Sequence, residues 1–112
     1  MVASIAHAGG LSLTAKTEID ALLSRLESSD CHFFRNGSRY TGPEAKNHLQ
    51  AKLDDLVKKG RITNSEEFIA RAATTSSVSG QPYGVQCANQ TEQPCAVWLV
   101  DELRRFREAH GG

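Results

Sequence analysis

A chain of 112 residues carrying 13 Lys+Arg against 13 Asp+Glu has no formal net charge at pH 7, which argues against a sequence-independent hold on phosphate backbones or anionic lipid surfaces. The length suits one domain, able to bury about 65% of its unfolded surface. No apolar run approaches the ~18 residues needed to cross a bilayer, so neither nucleic acid nor membrane is expected as a partner.

Residues 1–10 are small, apolar and uncharged, and Ala6-His7-Ala8 followed by Gly9 has the A-x-A form of a processing site. A basic n-region and most of an apolar h-region are missing. The segment reads either as the remnant of a secretory signal or as a disordered terminus, and 11–110 as a single helical domain. Ile19, Leu22, Leu23 and Leu26 recur at i, i+3, i+4 and i+7, which predicts a helix over Leu13 to Ser28, capped by Ser12 or Thr14. Next, Cys31-His32-Phe33-Phe34-Arg35 and Ser38-Arg39-Tyr40 flank Asn36-Gly37, the pair that most readily takes the positive φ values of a type I′ turn, so a hairpin follows.

Thr41-Gly42-Pro43-Glu44 has the form of a capping box with proline in the first turn. The helix it opens has Ala45, Leu49, Leu53, Leu56 and Val57 on one side and stops at Lys58-Lys59-Gly60, cations at the negative dipole end before a glycine. Thr63-Asn64-Ser65-Glu66 repeats the capping pattern ahead of a helix buried through Phe68, Ile69, Ala72 and Ala73. After a Ser/Thr-rich loop, Tyr83, Val85 and Cys87 alternate as in a half-buried strand, Asn89 to Gln93 reads as a polar loop, and Pro94 opens a last helix. Its stripe is Val97 or Trp98 with Leu99, Leu103 and Phe106. The sum is a mainly α fold, α+β at the margin: four amphipathic helices, a small antiparallel hairpin and one added short strand.

Three cysteines fit export if two of them pair. Among the three intramolecular pairings Cys31 with Cys87 is favoured, since each lies at a predicted strand edge and the bridge staples the two halves of the chain, leaving Cys95 over. Three reduced, buried thiols in a cytosolic protein are the other reading.

Catalytic motifs are missing: no nucleophile elbow, P-loop, dinucleotide fingerprint, H-E-x-x-H or C-x-x-C is present. His7, His32, His48 and His110 have no metal-ligand spacing, so no metal or cofactor is expected. A Cys95 and His48 dyad is the weakest reading, because any unpaired thiol and histidine can be proposed so cheaply. Asp54-Asp55 and Glu66-Glu67 are neighbours in sequence and point about 100° apart on a helix, which makes them solvated faces, with Glu66 serving as a cap. Arg104, Arg105 and Arg107, interleaved with Asp101, Glu102 and Glu108, read as a salt-bridged surface. Asn36 and Asn89 satisfy N-x-[ST], a weak pattern that Asn36 already explains by its turn.

What remains is Thr74-Thr75-Ser76-Ser77-Val78-Ser79-Gly80-Gln81-Pro82-Tyr83, either a flexible connector or a rigid binding surface. The predicted helix before it and Pro82-Tyr83 after it pin its ends. A loop so held loses less entropy on binding, and serine hydroxyls both donate and accept hydrogen bonds. Non-enzymatic binding is therefore favoured over catalysis.

Taken together, the segment Cys31 to Tyr40, the helix from Ala45 to Lys52, Phe68-Ile69, Ser76-Ser77-Val78-Ser79-Gly80-Gln81-Pro82-Tyr83 and Trp98-Leu99 resemble a family of small exported bacterial proteins defined as a domain of unknown function. The resemblance spans about Leu13 to Arg107. It implies export and supports the Cys31 to Cys87 pairing, and Cys95 is not part of the pattern. The chain also resembles the periplasmic immunity proteins that neutralise type VI secretion amidase effectors, in particular those directed at the third amidase family. This second likeness implies a non-enzymatic inhibitor, often dimeric, with Ser76, Ser77 or Ser79 entering the cleft of a cysteine-dependent peptidoglycan amidase. Gly80, Gln81, Tyr83, Arg39 and Tyr40 are then expected to share the contact, and helix faces to form a homodimer seam. The alternative is a stand-alone periplasmic protein of structural or envelope role with no enzyme partner.

Overall fold

A computed structural model describes residues 10–110; the motif Ala6-His7-Ala8 lies outside them. The first helix, α1, covers Leu13–Ser28, and the Ser12 hydroxyl accepts from the Ala15 N–H at 3.1 Å. Its buried stripe is Ile19, Leu22, Leu23 and Leu26, as the 3.6-residue period requires, with Ala15 and Glu18 added one turn earlier. Each fully buried Leu or Ile is worth about 2 kcal/mol, and α1 spends this stripe on all three other helices.

Strands β1 (His32–Arg35) and β2 (Ser38–Tyr40) form the expected hairpin, Phe34 opposite Arg39, with Asn36 at φ 53° and Gly37 at φ 81°. Helix α2 (Gly42–Lys58) begins on the full capping box: the Thr41 hydroxyl accepts from Glu44 N–H while Glu44 accepts from Thr41 N–H. Gly42 is required there, because a Cβ would lie 2.5 Å from the Leu26 carbonyl oxygen and 2.9 Å from that of Glu27. The helix ends with Gly60 at φ 72°, its N–H on Val57 O and that of Arg61 on Leu56 O. Lys59 pairs with Asp55 at 2.9 Å, an exposed contact of small energetic weight.

Helix α3 (Ser65–Ala72) is capped one residue later than the sequence pattern suggests. Asn64 accepts from Glu67 N–H at 2.8 Å, and Glu67, not Glu66, reaches back to Thr63. The reason is tertiary. Ser65 is fully buried and donates to Glu18 at 2.6 Å, and Glu66 is turned toward Arg107, whose guanidinium lies 2.7 Å away.

Strand β3 (Gly84–Gln86) adds to β1, and a further strand, β4 (Gln93–Pro94), adds to β3, giving the antiparallel order β2-β1-β3-β4. The sheet therefore has four strands and the class is α+β, with α4 (Cys95–Ala109) starting where β4 stops. Pro94 stands just outside this helix as its cap instead of opening it. Its buried residues are Cys95, Leu99 and Leu103; Trp98 is half-buried, edge-on to Phe33 at 5.9 Å, whereas Val97 is 54% exposed.

Two covalent or ionic ties close the molecule. A disulfide joins Cys31 to Cys87, flanking the β1–β3 ladder, and Cys95 is free. Glu18 receives the Arg107 guanidinium at 2.8 and 2.9 Å, which fastens α4 to α1, while the same arginine holds Glu66 of α3. Arg104 and Arg105 stay on the surface with Asp101. Such a disulfide persists in oxidising compartments, and no helix among the described residues is long and apolar enough to cross a membrane.

Candidate functional site

The chain leaving α3 does not fray. Ala73 N–H still bonds Ile69 O, the Thr74 hydroxyl donates to the same carbonyl at 2.8 Å, and Tyr83 N–H returns to Thr74 O at 3.0 Å. Thr75 and Pro82 face each other as an isolated antiparallel bridge. Inside it, Ser76 N–H donates to Gln81 O and Gly80 N–H to Ser76 O, both at 2.9 Å, with Gly80 at φ 74°. Residues 75–82 are thus a closed turn with its backbone polar groups largely committed.

A second turn locks the first. Ser76 is 2% exposed, and its hydroxyl oxygen accepts from Val78 N–H and from the Asn36 side-chain amide, both at 3.2 Å. The Ser79 hydroxyl donates to Asn36 Oδ1 and accepts from Gln81 N–H at 3.2 Å. Asn36 holds the β1–β2 turn by its backbone and the serine loop by its side chain.

Helix α2 braces this pair from below. The Lys52 ammonium donates to Thr75 O at 3.0 Å and to the Tyr83 hydroxyl at 2.9 Å, and that hydroxyl lies 2.9 Å from His48 Nε2. An ammonium only donates, so the tyrosine oxygen accepts from Lys52; with the hydroxyl hydrogen directed at Nε2 as a hydrogen bond, the imidazole proton sits on Nδ1. Burial holds the His48 pKa below its ordinary value, helped by the cations Arg35 and Lys52, so the ring is neutral at pH 7, as this network needs.

Of the residues expected to touch a partner, Ser77, Ser79, Gly80, Gln81 and Arg39 are exposed and Tyr40 is half-buried. Ser76 and Tyr83 are not on the surface: one is the keystone of the latch, the other the strut beneath it. An exposed apex residue went unread in the sequence. Val78 is 81% exposed between Ser77 and Ser79, an apolar knob on a polar tip.

Beside the latch, between the hairpin and α2, lies a cleft of about 290 Å³ walled by Phe33, Phe34, Tyr40, Ala45, His48 and Leu49, with Arg35 and Cys95 also lining it. The sequence gives little warning of it, since each wall residue is accounted for locally by strand or helix periodicity. Cys95 and His48 both line this cleft. Burial pushes the Cys95 thiol up to about 12 and Nε2 is occupied by Tyr83, so the pair lacks both the thiolate and the free base of a nucleophilic dyad. Among the described residues no group of three or more His, Cys, Asp or Glu side chains gathers to hold a metal ion.

Comparison with known proteins adds ancestry without activity. The uncharacterized protein YfeK of Salmonella typhimurium is 38% identical to this chain over 69 residues, a stretch covering 61% of the chain and 56% of that protein. The chain thus spans little more than half of that relative. No solved structure matches. A family model described as a family of unknown function (DUF5329) matches residues 13–107, and the chain belongs to that family.

Proposed function

We propose that this chain is an exported, non-enzymatic binding protein that inserts its latched double turn into the active-site cleft of another enzyme. The partner is a cysteine-dependent peptidoglycan amidase of the kind delivered by type VI secretion, and the chain acts in the periplasm as its immunity protein. One observation carries this reading: Asn36, Ser76 and Ser79 tie two turns into one stiff tip, so little conformational entropy is lost on docking.

Ser77, Val78, Ser79, Gly80 and Gln81 form the inserted edge, with Arg39 beside it. Hydroxyls suit a cleft lined by a thiol, an imidazole and backbone amides, and Val78 supplies an apolar anchor. Protection from a lethal hydrolase calls for nanomolar affinity, about 12 kcal/mol, and about 1,600 Å² of buried surface. The tip is too small to supply that area alone. The adjoining face bears Lys52, Arg61 and Arg71 around Ser77, with Asp55 among them paired to Lys59, so its excess of cations extends the contact and steers an acidic rim. The amidase type is taken from the resemblance, not from the geometry.

The test mixes the purified chain with a type VI amidase encoded beside it and follows complex formation and peptidoglycan hydrolysis. A stable complex with loss of hydrolysis is expected. Unimpeded hydrolysis without a complex rejects the proposal and leaves a stand-alone envelope protein.

A further inference from the structure

The cleft between the hairpin and α2 shares His48 and Tyr83 with the brace beneath the latch, and its lining is unusual for a crevice left by imperfect packing. Phe33, Phe34, Tyr40, Ala45 and Leu49 present carbon, yet Arg35 stands among them. Arg35 has no ion-pair partner among the described residues; Arg39, Arg61 and Arg71 also lack one but are exposed, whereas Arg35 is half-buried. Its Nε is sealed from solvent with no acceptor in reach, a state that buried donors rarely occupy.

Among the described residues no other polar group of the cleft forms an ion pair with this guanidinium. Glu44 lines the cleft too, an exposed carboxylate whose Oε1 is turned to the cap, accepting from Thr41 N–H at 2.9 Å and from the Thr41 hydroxyl at 3.2 Å. His48 is neutral and spends Nε2 on Tyr83. Apolar walls with an unpaired guanidinium are complementary to an apolar body ending in a negative charge, and planar guanidinium pairs best with carboxylate.

We infer that this cleft binds a small monocarboxylate with an apolar tail, Arg35 receiving the carboxylate and Phe33, Phe34, Tyr40 and Leu49 enclosing the tail. A volume of about 290 Å³ lies at the low end of ligand cavities, which begin near ~300 Å³. The tail is therefore a short acyl chain or a single ring, not a long-chain lipid.

The experiment titrates the full, oxidised chain with octanoate and follows backbone amides by NMR, with 1-octanol and glutarate as probes lacking the charge and the apolar tail respectively. Octanoate is expected to shift amides of residues 33–35, 40 and 45–49 and to bind at least tenfold more tightly than either control. Arg35→Gln should weaken octanoate at least tenfold without changing octanol, and Ala45→Leu, which fills the cleft, should abolish both. Equal binding of octanoate and octanol, shifts scattered over the surface, or an Arg35→Gln chain that binds like the parent each overturns the inference. If Arg35→Gln does not fold, the three ligands on the parent chain and Ala45→Leu decide. No partner enzyme is present in this titration, so its result is separable from the inhibitor reading.

Discussion

The side-chain amide of Asn36 donates to the Ser76 hydroxyl at 3.2 Å across a sequence separation of 40 residues, making one β-turn the clamp of another. Asn36→Gly keeps the positive φ the turn requires and deletes only the clamp. It should cost about 1–2 kcal/mol by urea unfolding and speed hydrogen exchange at the amides of residues 76–81. Unchanged exchange there would show that the loop is stiff without Asn36.

Val78 separates recognition from folding. At 81% exposure it contributes little to the fold, so Val78→Asp should move stability by less than about 0.5 kcal/mol. If the proposed function holds, the same change places a charge on the apex of the tip and should weaken amidase binding by more than tenfold, measured by calorimetry. Undiminished affinity would remove the tip from the interface.

The Cys31–Cys87 bridge closes a loop with a sequence separation of 56. Replacing both cysteines by alanine should lower stability by about 4 kcal/mol in the chain-entropy account. Cys95, buried and with its thiol pushed up to about 12, should be silent toward a thiol reagent in the native protein. One equivalent should appear only in denaturant.

Acid stability draws on Glu66, whose carboxyl Arg107 also holds low, and above all on the buried Glu18. Hydrogen bonds from Arg107 hold its carboxyl below the usual carboxylate range, so its contribution is complete above the unfolded-state value and disappears as pH falls through the lower folded-state one. Stability should be flat in this respect from pH 7 to about 5 and decline below about 4. Glu18→Gln should flatten that acid limb, and Arg107→Ala, which strands a buried carboxylate, should cost about 3 kcal/mol at pH 7. A chain whose acid midpoint ignores Glu18→Gln would assign the limb to other carboxylates.

Gly42→Ala tests the closeness of α1 and α2. Helix propensity favours alanine by about 1 kcal/mol, but the new Cβ meets the Leu26 and Glu27 carbonyl oxygens at 2.5 and 2.9 Å. Backbone on both sides leaves little room to relax, so a net loss of about 1–2 kcal/mol is expected in the thermal midpoint.

Local signals were enough for most of the framework. The bounds of α1, the Asn36-Gly37 turn and the Thr41–Glu44 cap rest on residues within four positions of one another, and each is found as read. What the sequence hid depends on distant partners. The α3 cap shifts to Asn64 and Glu67 because Ser65 is drawn inward by Glu18, and β4 exists only because Gln93 and Pro94 meet Val85 and Gly84. At the candidate site, the anchoring of the serine loop at both ends was legible. The inward turn of Ser76, the exposure of Val78 and the gathering of Arg35, His48 and Cys95 around one cleft were not, since no local pattern encodes them.

The strand order β2-β1-β3-β4 places β1 inside the sheet, although its second neighbour lies at Gly84–Gln86, far along the chain. A polypeptide emerging amino-end first therefore completes its hairpin early and then carries a bare backbone rim on Phe33 and Phe34 until the later segment arrives. Such a rim invites pairing with a neighbouring copy. Nascent or truncated chains ending before residue 84 are thus the forms most in need of a chaperone.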